Sequence, residues 1–294
     1  MISRIVEVSI PGFLSLKDRQ LVVEKDGEVK GTIPIEDLGV LILDHPALVY
    51  THQLFQHLAE HNVAVVLCDA KHMPTSLLLN YVTHHEHTKV LRSQISCSPH
   101  KKTSLWRQIV QAKIERQSRV LQKEKKRSPK LEGLAQKVTQ SQTDLIEARA
   151  AHIYFHLLFG KDFDRDPKAP GINSLLNYGY AIIRAAIARA IVGTGMHPAL
   201  GIHHRNPYNP FCLADDLMEP LRPLVDQTVY RLAKSLPEIN DLTPALKREI
   251  LSITTSDLLL KKRKLPFMTA IPLYVAGVKQ YLCENARKVE IPLW

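Results

Sequence analysis

Leu21-Val22-Val23-Glu24-Lys25-Asp26-Gly27-Glu28-Val29-Lys30-Gly31-Thr32-Ile33-Pro34-Ile35 is the stretch on which the fold turns. Two apolar runs, Leu21–Glu24 and Val29–Ile35, flank Lys25-Asp26-Gly27-Glu28. Asp-Gly between such runs signals a hairpin, because a type I′ turn needs positive φ at both central residues. Outward from it, Arg4–Ile10 alternates as a half-buried strand does, and Val40–Leu43 and Val63–Leu67 read as short buried strands. Between them Thr51–His61 reads as a helix, with Leu54, Phe55 and Leu58 on one face and Thr51 placed as its N-cap. After about Pro74 the strand signals largely vanish. Helical periodicity then runs through Ser104–Lys126, Leu145–Phe159, Ile172–Val192, Ala214–Leu236, Pro244–Leu260 and Pro266–Lys288. The expected fold class is α+β: a small β-rich N-terminal domain over 1–74 that would carry dimer and partner contacts, a linker over 75–100, and a large all-α catalytic domain over 101–294.

The chain of 294 residues, 45% hydrophobic, is long enough to bury a substantial core. Apolar runs such as Val63–Leu67 are too short to span a bilayer, and the N-terminus lacks the charged and apolar regions of a signal peptide. A cytoplasmic protein without membrane contact is therefore expected. Cys68, Cys97, Cys212 and Cys283 are scattered, which disfavours a zinc ribbon and a disulfide framework. The formal net charge of +10 favours a polyanionic partner, nucleic acid first.

The charge is concentrated. Residues 101–130 are dominated by Lys and Arg, Arg107 among them, opposed only by Glu115 and Glu124. Lys113, Arg116 and Arg119 recur at intervals of three, so they are expected on one helical ridge able to track a phosphate backbone. A solvated helix face is the competing reading. Lys261-Lys262-Arg263-Lys264, read as a loop before Pro266, is a second candidate DNA contact, with a solubilising loop as its alternative.

Three segments could carry chemistry. Glu147 lies on a helix whose face also holds Ala151 and Tyr154, small enough in part to admit a ligand. Gly195–Asn206, broken by Gly and Pro, reads as a structured loop bearing His203 and His204. Asp216 and Glu219 are three apart on the next helical segment, where two carboxylates repel unless a cation lies between them. Oxygen donors with one imidazole suit Mg²⁺ or Mn²⁺ better than structural zinc. Such an ion can hold a phosphoryl oxygen and lower the pKa of an attacking hydroxyl. His84-His85-Glu86-His87 reads as an exposed helix end or linker, and no Gly-rich phosphate loop is present.

These segments, Ile146–Phe155, Leu176–Val192, Gly195–Asn206 and Leu213–Pro223, resemble in order those of the CRISPR-associated spacer integrase, most closely its type II branch. The resemblance runs the whole length. It implies a β-rich N-terminal and an α-helical C-terminal domain, and a catalytic metal site of Glu147, His204 and Glu219, choosing His204 over His203. It makes Asp216 an auxiliary acid. Ala148 stands where much of the family has Gly, and Glu219 where many relatives have Asp. The implied activity is insertion of short DNA segments into a CRISPR array by attack of a 3′-hydroxyl on a phosphodiester. The implied partners are double-stranded DNA (protospacer and leader–repeat), a second copy of the chain, a small dimeric adaptation protein and, in the type II branch, the effector nuclease. Asn177, Tyr178 and Tyr180 are expected near the ion, positioning DNA, with helix packing as the alternative. A stand-alone metal nuclease on branched or single-stranded DNA, and a non-catalytic DNA scaffold, are the rival functions.

Overall fold

A computed structural model describes residues 3–81, 84–139, 141–236, 239, 241–284 and 286–294. The N-terminal region forms two sheets. One has the order β1 (Arg4–Val8), β5 (Leu38–Leu43), β7 (Ala64–Cys68), β8 (Pro74–Leu78), parallel except for its last pair. The other has the order β4 (Glu28–Pro34), β3 (Gln20–Lys25), β2 (Gly12–Lys17), β6 (Leu48–Tyr50). The hairpin read from Asp26-Gly27 joins β3 to β4, with φ of 54° and 79° at those two residues. The helix α1 (His52–Glu60) is capped by the Thr51 side chain, which accepts from the Leu54 amide, as expected.

β5 is buried along its whole length because both faces of its sheet are covered. The period of two sends Leu41 and Leu43 toward Leu14, Leu21, Leu54 and Leu58, in a core made with the second sheet and α1. It sends Val40 and Ile42 the other way, into the core of the helical domain. The two domains therefore share a buried seam.

The helical part comprises α2 (His87–Ser96), α3 (Pro99–Lys123), α4 (Pro129–Gln136), α5 (Thr143–Phe159), α6 (Ile172–Gly193), α7 (Cys212–Met218), α8 (Arg222–Ser235), α9 (Pro244–Leu251) and α10 (Phe267–Cys283). Helix α6 is long and apolar enough to cross a membrane, but 72% of its most apolar window is buried inside the protein, where it acts as the central core helix.

Five expectations need correction. Residues 75–100 are not a mere linker: they complete a sheet as β8 and add α2. The expected helix Ala214–Leu236 breaks at Glu219–Leu221, a 3₁₀ turn where Pro220 supplies no amide donor. The expected helix Pro244–Leu260 stops at Leu251. Hydroxyls of Thr254, Thr255 and Ser256 donate to carbonyls three residues back, competing with the helix, and β9 (Asp257–Leu260) follows with Leu258 and Leu260 alternating inward. The helical domain is thus not all-α, and the loop read at 261–264 is the turn and first residues of a hairpin between β9 and β10 (Arg263–Pro266).

Candidate metal centre

The site forms where α3, α5, the 195–206 loop and the 3₁₀ turn converge. Trp106 and Lys113 are seven apart on α3 and share a face; Asp144 and Glu147 are three apart on α5 and share another. The indole Nε1 of Trp106 donates to Asp144 at 3.1 Å, and the Lys113 ammonium pairs with Glu147. That ammonium also lies 2.6 Å from Glu219 Oε2. Glu147 and Glu219, far apart in sequence and on different elements, thus face each other across one enclosed cation.

Glu219 is held from behind. Arg222 Nε lies 2.9 Å from Glu219 Oε1. The ring of Tyr180 carries the Arg222 guanidinium at 4.7 Å, and the Tyr180 hydroxyl donates to Asp226. Burial alone would raise the Glu219 carboxyl; Arg222 and Lys113 outweigh it and hold it below the usual range. Lys113 shows the mirror image, with burial opposing its charge and the two carboxylates more than restoring it. Asp226 has no such cation in contact, and burial raises its carboxyl to about 6.

His204 is oriented by Asp216, which has no solvent exposure. Asp216 accepts from the amides of Ile202 at 2.6 Å, His203 at 2.9 Å and His204 at 3.3 Å, and its Oδ1 lies 2.5 Å from His204 Nδ1. A carboxylate accepts only, so His204 carries its proton on Nδ1 and its Nε2 is left as the ligand atom. The same hydrogen bond holds the imidazole above its ordinary pKa. Gly201 permits this wrap: a Cβ there would stand 2.3 Å from the His204 carbonyl oxygen and 3.0 Å from Asp216 Oδ2. The indole of Trp106 stacks on His203 at 4.3 Å and meets His204 edge-on at 5.6 Å.

Glu147, Glu219 and His204 border the same cluster, but their ligand atoms do not gather as tightly as those of His57, Glu60 and His61, which all lie within 4.8 Å of one another. Lys113 fills the space between the two acids. The donor set nevertheless fits a hard divalent ion: the two acids already embrace a positive charge, one imidazole nitrogen is left free, and the buried Glu219 Oε2 makes no well-directed hydrogen bond.

Several expected site residues lie elsewhere. Arg116 is buried, and its guanidinium donates to the carbonyls of Ala112, Ile291 and Pro292. Burial lowers it to about 10. Arg119 donates to the Trp294 carbonyl. The expected phosphate ridge therefore divides: Lys113 enters the candidate site, Arg116 and Arg119 tie down the C-terminal segment, and of the α3 cations named Arg107 is the exposed one. Tyr178 is wholly buried at the seam between the domains, with Lys247 over its ring. Tyr180, two residues on, points the other way and supports Arg222. Asn177 accepts from Arg165 and donates to the Pro167 carbonyl. All three side chains meet residues of the fold, and Tyr180 stands behind Arg222, which pairs with Glu219. Gln94, which no sequence pattern singles out, donates from its side chain to the carbonyls of His197 and Leu200 and accepts from the His197 amide, pinning the loop that carries His204.

An acid pair and an oriented imidazole at the convergence of helices, beneath a β-rich N-terminal domain, define a two-domain protein with a candidate divalent-cation centre. The family model of CRISPR associated protein Cas1 matches residues 8–241. The CRISPR-associated endonuclease Cas1 of Neisseria meningitidis serogroup C (strain 8013) is 36% identical over 284 residues, 96% of this chain and 93% of that protein. The chain belongs to the Cas1 family. Its fold is shared with a casposase bound to integration product (TM-score 0.79, 20% identity, 99% of this chain and 93% of that one). It is shared too with a chain of a Cas6-RT-Cas1–Cas2 complex (TM-score 0.75, 18% identity, 98% of this chain and 36% of that one).

Proposed function

We propose that this protein is a divalent-metal-dependent DNA integrase and endonuclease that inserts short DNA segments into a CRISPR array. Glu147, His204 and Glu219 hold Mg²⁺ or Mn²⁺. When bound, the ion supplies Lewis-acid stabilisation of phosphoryl charge and acidifies the attacking hydroxyl. The 3′-hydroxyl oxygen of the incoming strand forms a bond to phosphorus, and the bond from that phosphorus to the 3′-oxygen of the leader strand breaks. Asp216 keeps His204 in one tautomer and orientation. Arg222, braced on Tyr180, fixes Glu219. Lys113, once released from the acids, is a donor for the phosphate it then faces.

The observation that carries this reading is the pair of carboxylates from separate elements closing on one enclosed ammonium beside an imidazole set by a buried acid. The basic hairpin supports DNA contact. Lys261 and Lys262 occupy its turn with φ of 51° and 62°, a conformation costing a non-glycine residue about 1 kcal/mol or more. Retaining two exposed lysines where Asn-Gly would be easier suits a phosphate-binding tip, together with Arg263 and Arg107. The fold shared with a casposase bound to integration product and the Cas2 named with another structural neighbour support DNA and a small dimeric adaptation partner. A second copy of the chain and a cytoplasmic location belong to the same proposal on the family resemblance alone. Glu at position 219 favours the type II branch, and with it the effector nuclease as a further partner.

The test is strand joining. Purified protein, partner, a protospacer with free 3′-hydroxyls and a supercoiled array plasmid are combined with Mn²⁺. The wild type is expected to give joined product, and Glu147→Ala none while still binding DNA in chelator. Nicking without joining would leave only the nuclease reading; joining by Glu147→Ala would leave only the scaffold.

A further inference from the structure

The tightest group of metal-ligating side chains among the described residues lies in the N-terminal domain, away from the residues assigned to catalysis. His57, Glu60 and His61 stand at i, i+3 and i+4 at the C-terminal end of α1, so one helical face presents all three. Each offers a ligand atom within 4.8 Å of the other two. The rings of His57 and His61 are 5.2 Å apart, centre to centre.

The hydrogen bonds around them prepare ligands. His61 Nδ1 lies 2.9 Å from the His57 carbonyl oxygen, which can only accept. In the neutral ring the proton therefore sits on Nδ1 and the Nε2 lone pair is free. His57 Nδ1 lies 3.1 Å from Glu60 Oε2, and the other Glu60 oxygen accepts from Gln56 at 3.4 Å. The carboxylate is thus held toward the imidazoles. Both histidines line a cavity of about 500 Å³ whose other walls include Asp18 and Glu36, further oxygen donors, with Arg19 as the opposing charge. A tetrahedral ion with bonds of about 2.0–2.1 Å needs donors roughly 3.3 Å apart. His57 is half-buried and Glu60 and His61 are exposed, so on one helical turn rotamer changes can close that gap.

We propose that His57, Glu60 and His61 form a second divalent-metal site, selective for borderline ions such as Zn²⁺ and closed to Mg²⁺. Two imidazoles and one carboxylate match zinc, nickel and copper in donor type, whereas Mg²⁺ demands oxygen and retains its water. Bridging successive turns at the end of α1, the ion stiffens the helix against the turn bearing Glu36.

The full-length chain carrying Glu147→Ala and His204→Ala, which silences the other centre, is titrated with Zn²⁺ in excess Mg²⁺ by calorimetry. One equivalent is expected to bind and to raise the melting temperature. X-ray absorption is expected to show two imidazoles at about 2.0 Å. Adding His57→Gln and His61→Gln, at a half-buried and an exposed position, with folding verified by circular dichroism, is expected to weaken binding roughly tenfold or more. An equivalent of Zn²⁺ retained by that variant, displacement of Zn²⁺ by Mg²⁺, or no saturable binding by the parent would each overturn the proposal.

Discussion

Lys113 and Lys247 are each enclosed between two carboxylates, one within the helical domain and one where the helices meet the sheet. Lys113 sits between Glu147 and Glu219, with His204 on Asp216 nearby. Lys247 sits against Asp44 and 3.3 Å from Glu7, with His72 on Asp44 at 3.0 Å and the Tyr178 ring beneath the ammonium. The parts are nearly the same. Access to water differs. At the first cluster 27% of the Glu147 side chain and 45% of that of His204 are exposed. At the second His72 is also open, at 51%, but the ion pair itself is closed: Lys247 and Asp44 keep 2% and 1%, and Glu7 10%. A cation that can be reached can be exchanged; a sealed one can only hold its neighbours together. The difference teaches that two lysines between acids, alike in their partners, differ in whether another cation could reach the acids.

The largest effect is expected from the sealed cluster. Lys247→Met leaves Asp44 and Glu7 buried without their cation, which costs about 3–5 kcal/mol. Glu7 already sits above its usual pKa, chiefly through burial with Lys247 opposing, so it is expected to take up a proton in the variant. Denaturant unfolding measures the loss. Mn²⁺ is expected to restore none of it, and rescue by Mn²⁺ would break the distinction between the clusters.

Asp226 sharpens the comparison as a buried acid with no lysine. Burial raises it from 3.8 to about 6, so between these values the folded protein keeps a proton that the unfolded chain has lost. Stability therefore falls as pH rises through that window, by about 3 kcal/mol in all. Asp226→Asn, which still accepts from Tyr180, is expected to flatten that part of the stability curve between pH 4 and 6. Melting temperatures of the two proteins across the range check it; parallel curves would refute the assignment.

These clusters also mark how far the sequence could be read. Periodicity reveals α3, α5 and α6, because each presents an apolar stripe to a core, and Asp26-Gly27 reveals the hairpin through its backbone demand. Breaks were harder. The arrest at Leu251 depends on hydroxyls bonding back to the backbone, and the 3₁₀ turn at Glu219 on a proline inside an otherwise helical run. Residue type and spacing mark Glu147, the His203–His204 loop and the Asp216–Glu219 pair as candidates; only the motif resemblance chooses His204 over His203 and joins the three into one candidate site. Lys113 and Arg116 looked equivalent on one ridge, yet one enters the site and the other binds carbonyls of the C-terminal segment. Spacing sets which residues share a face, not what the face meets. Gln94 carried no signal, since an amide pinning a distant loop has no local pattern.

Lys113→Met is the smallest stability change and the most telling. Glu147 keeps contact with water and Glu219 keeps Arg222, so the expected loss in chelator is about 1–3 kcal/mol. If the function proposed above holds, Lys113 competes with the divalent ion for the same two oxygens. The variant should then bind Mn²⁺ more tightly than the wild type and regain its stability when Mn²⁺ is added, in contrast to Lys247→Met. Joining should still fall, because the ammonium displaced by the ion is the one left to meet the phosphate. Mn²⁺ affinity by electron paramagnetic resonance and unfolding with and without the ion separate these effects. Unchanged affinity would make Lys113 a structural lysine like Lys247, and the two clusters would then differ in exposure without differing in kind.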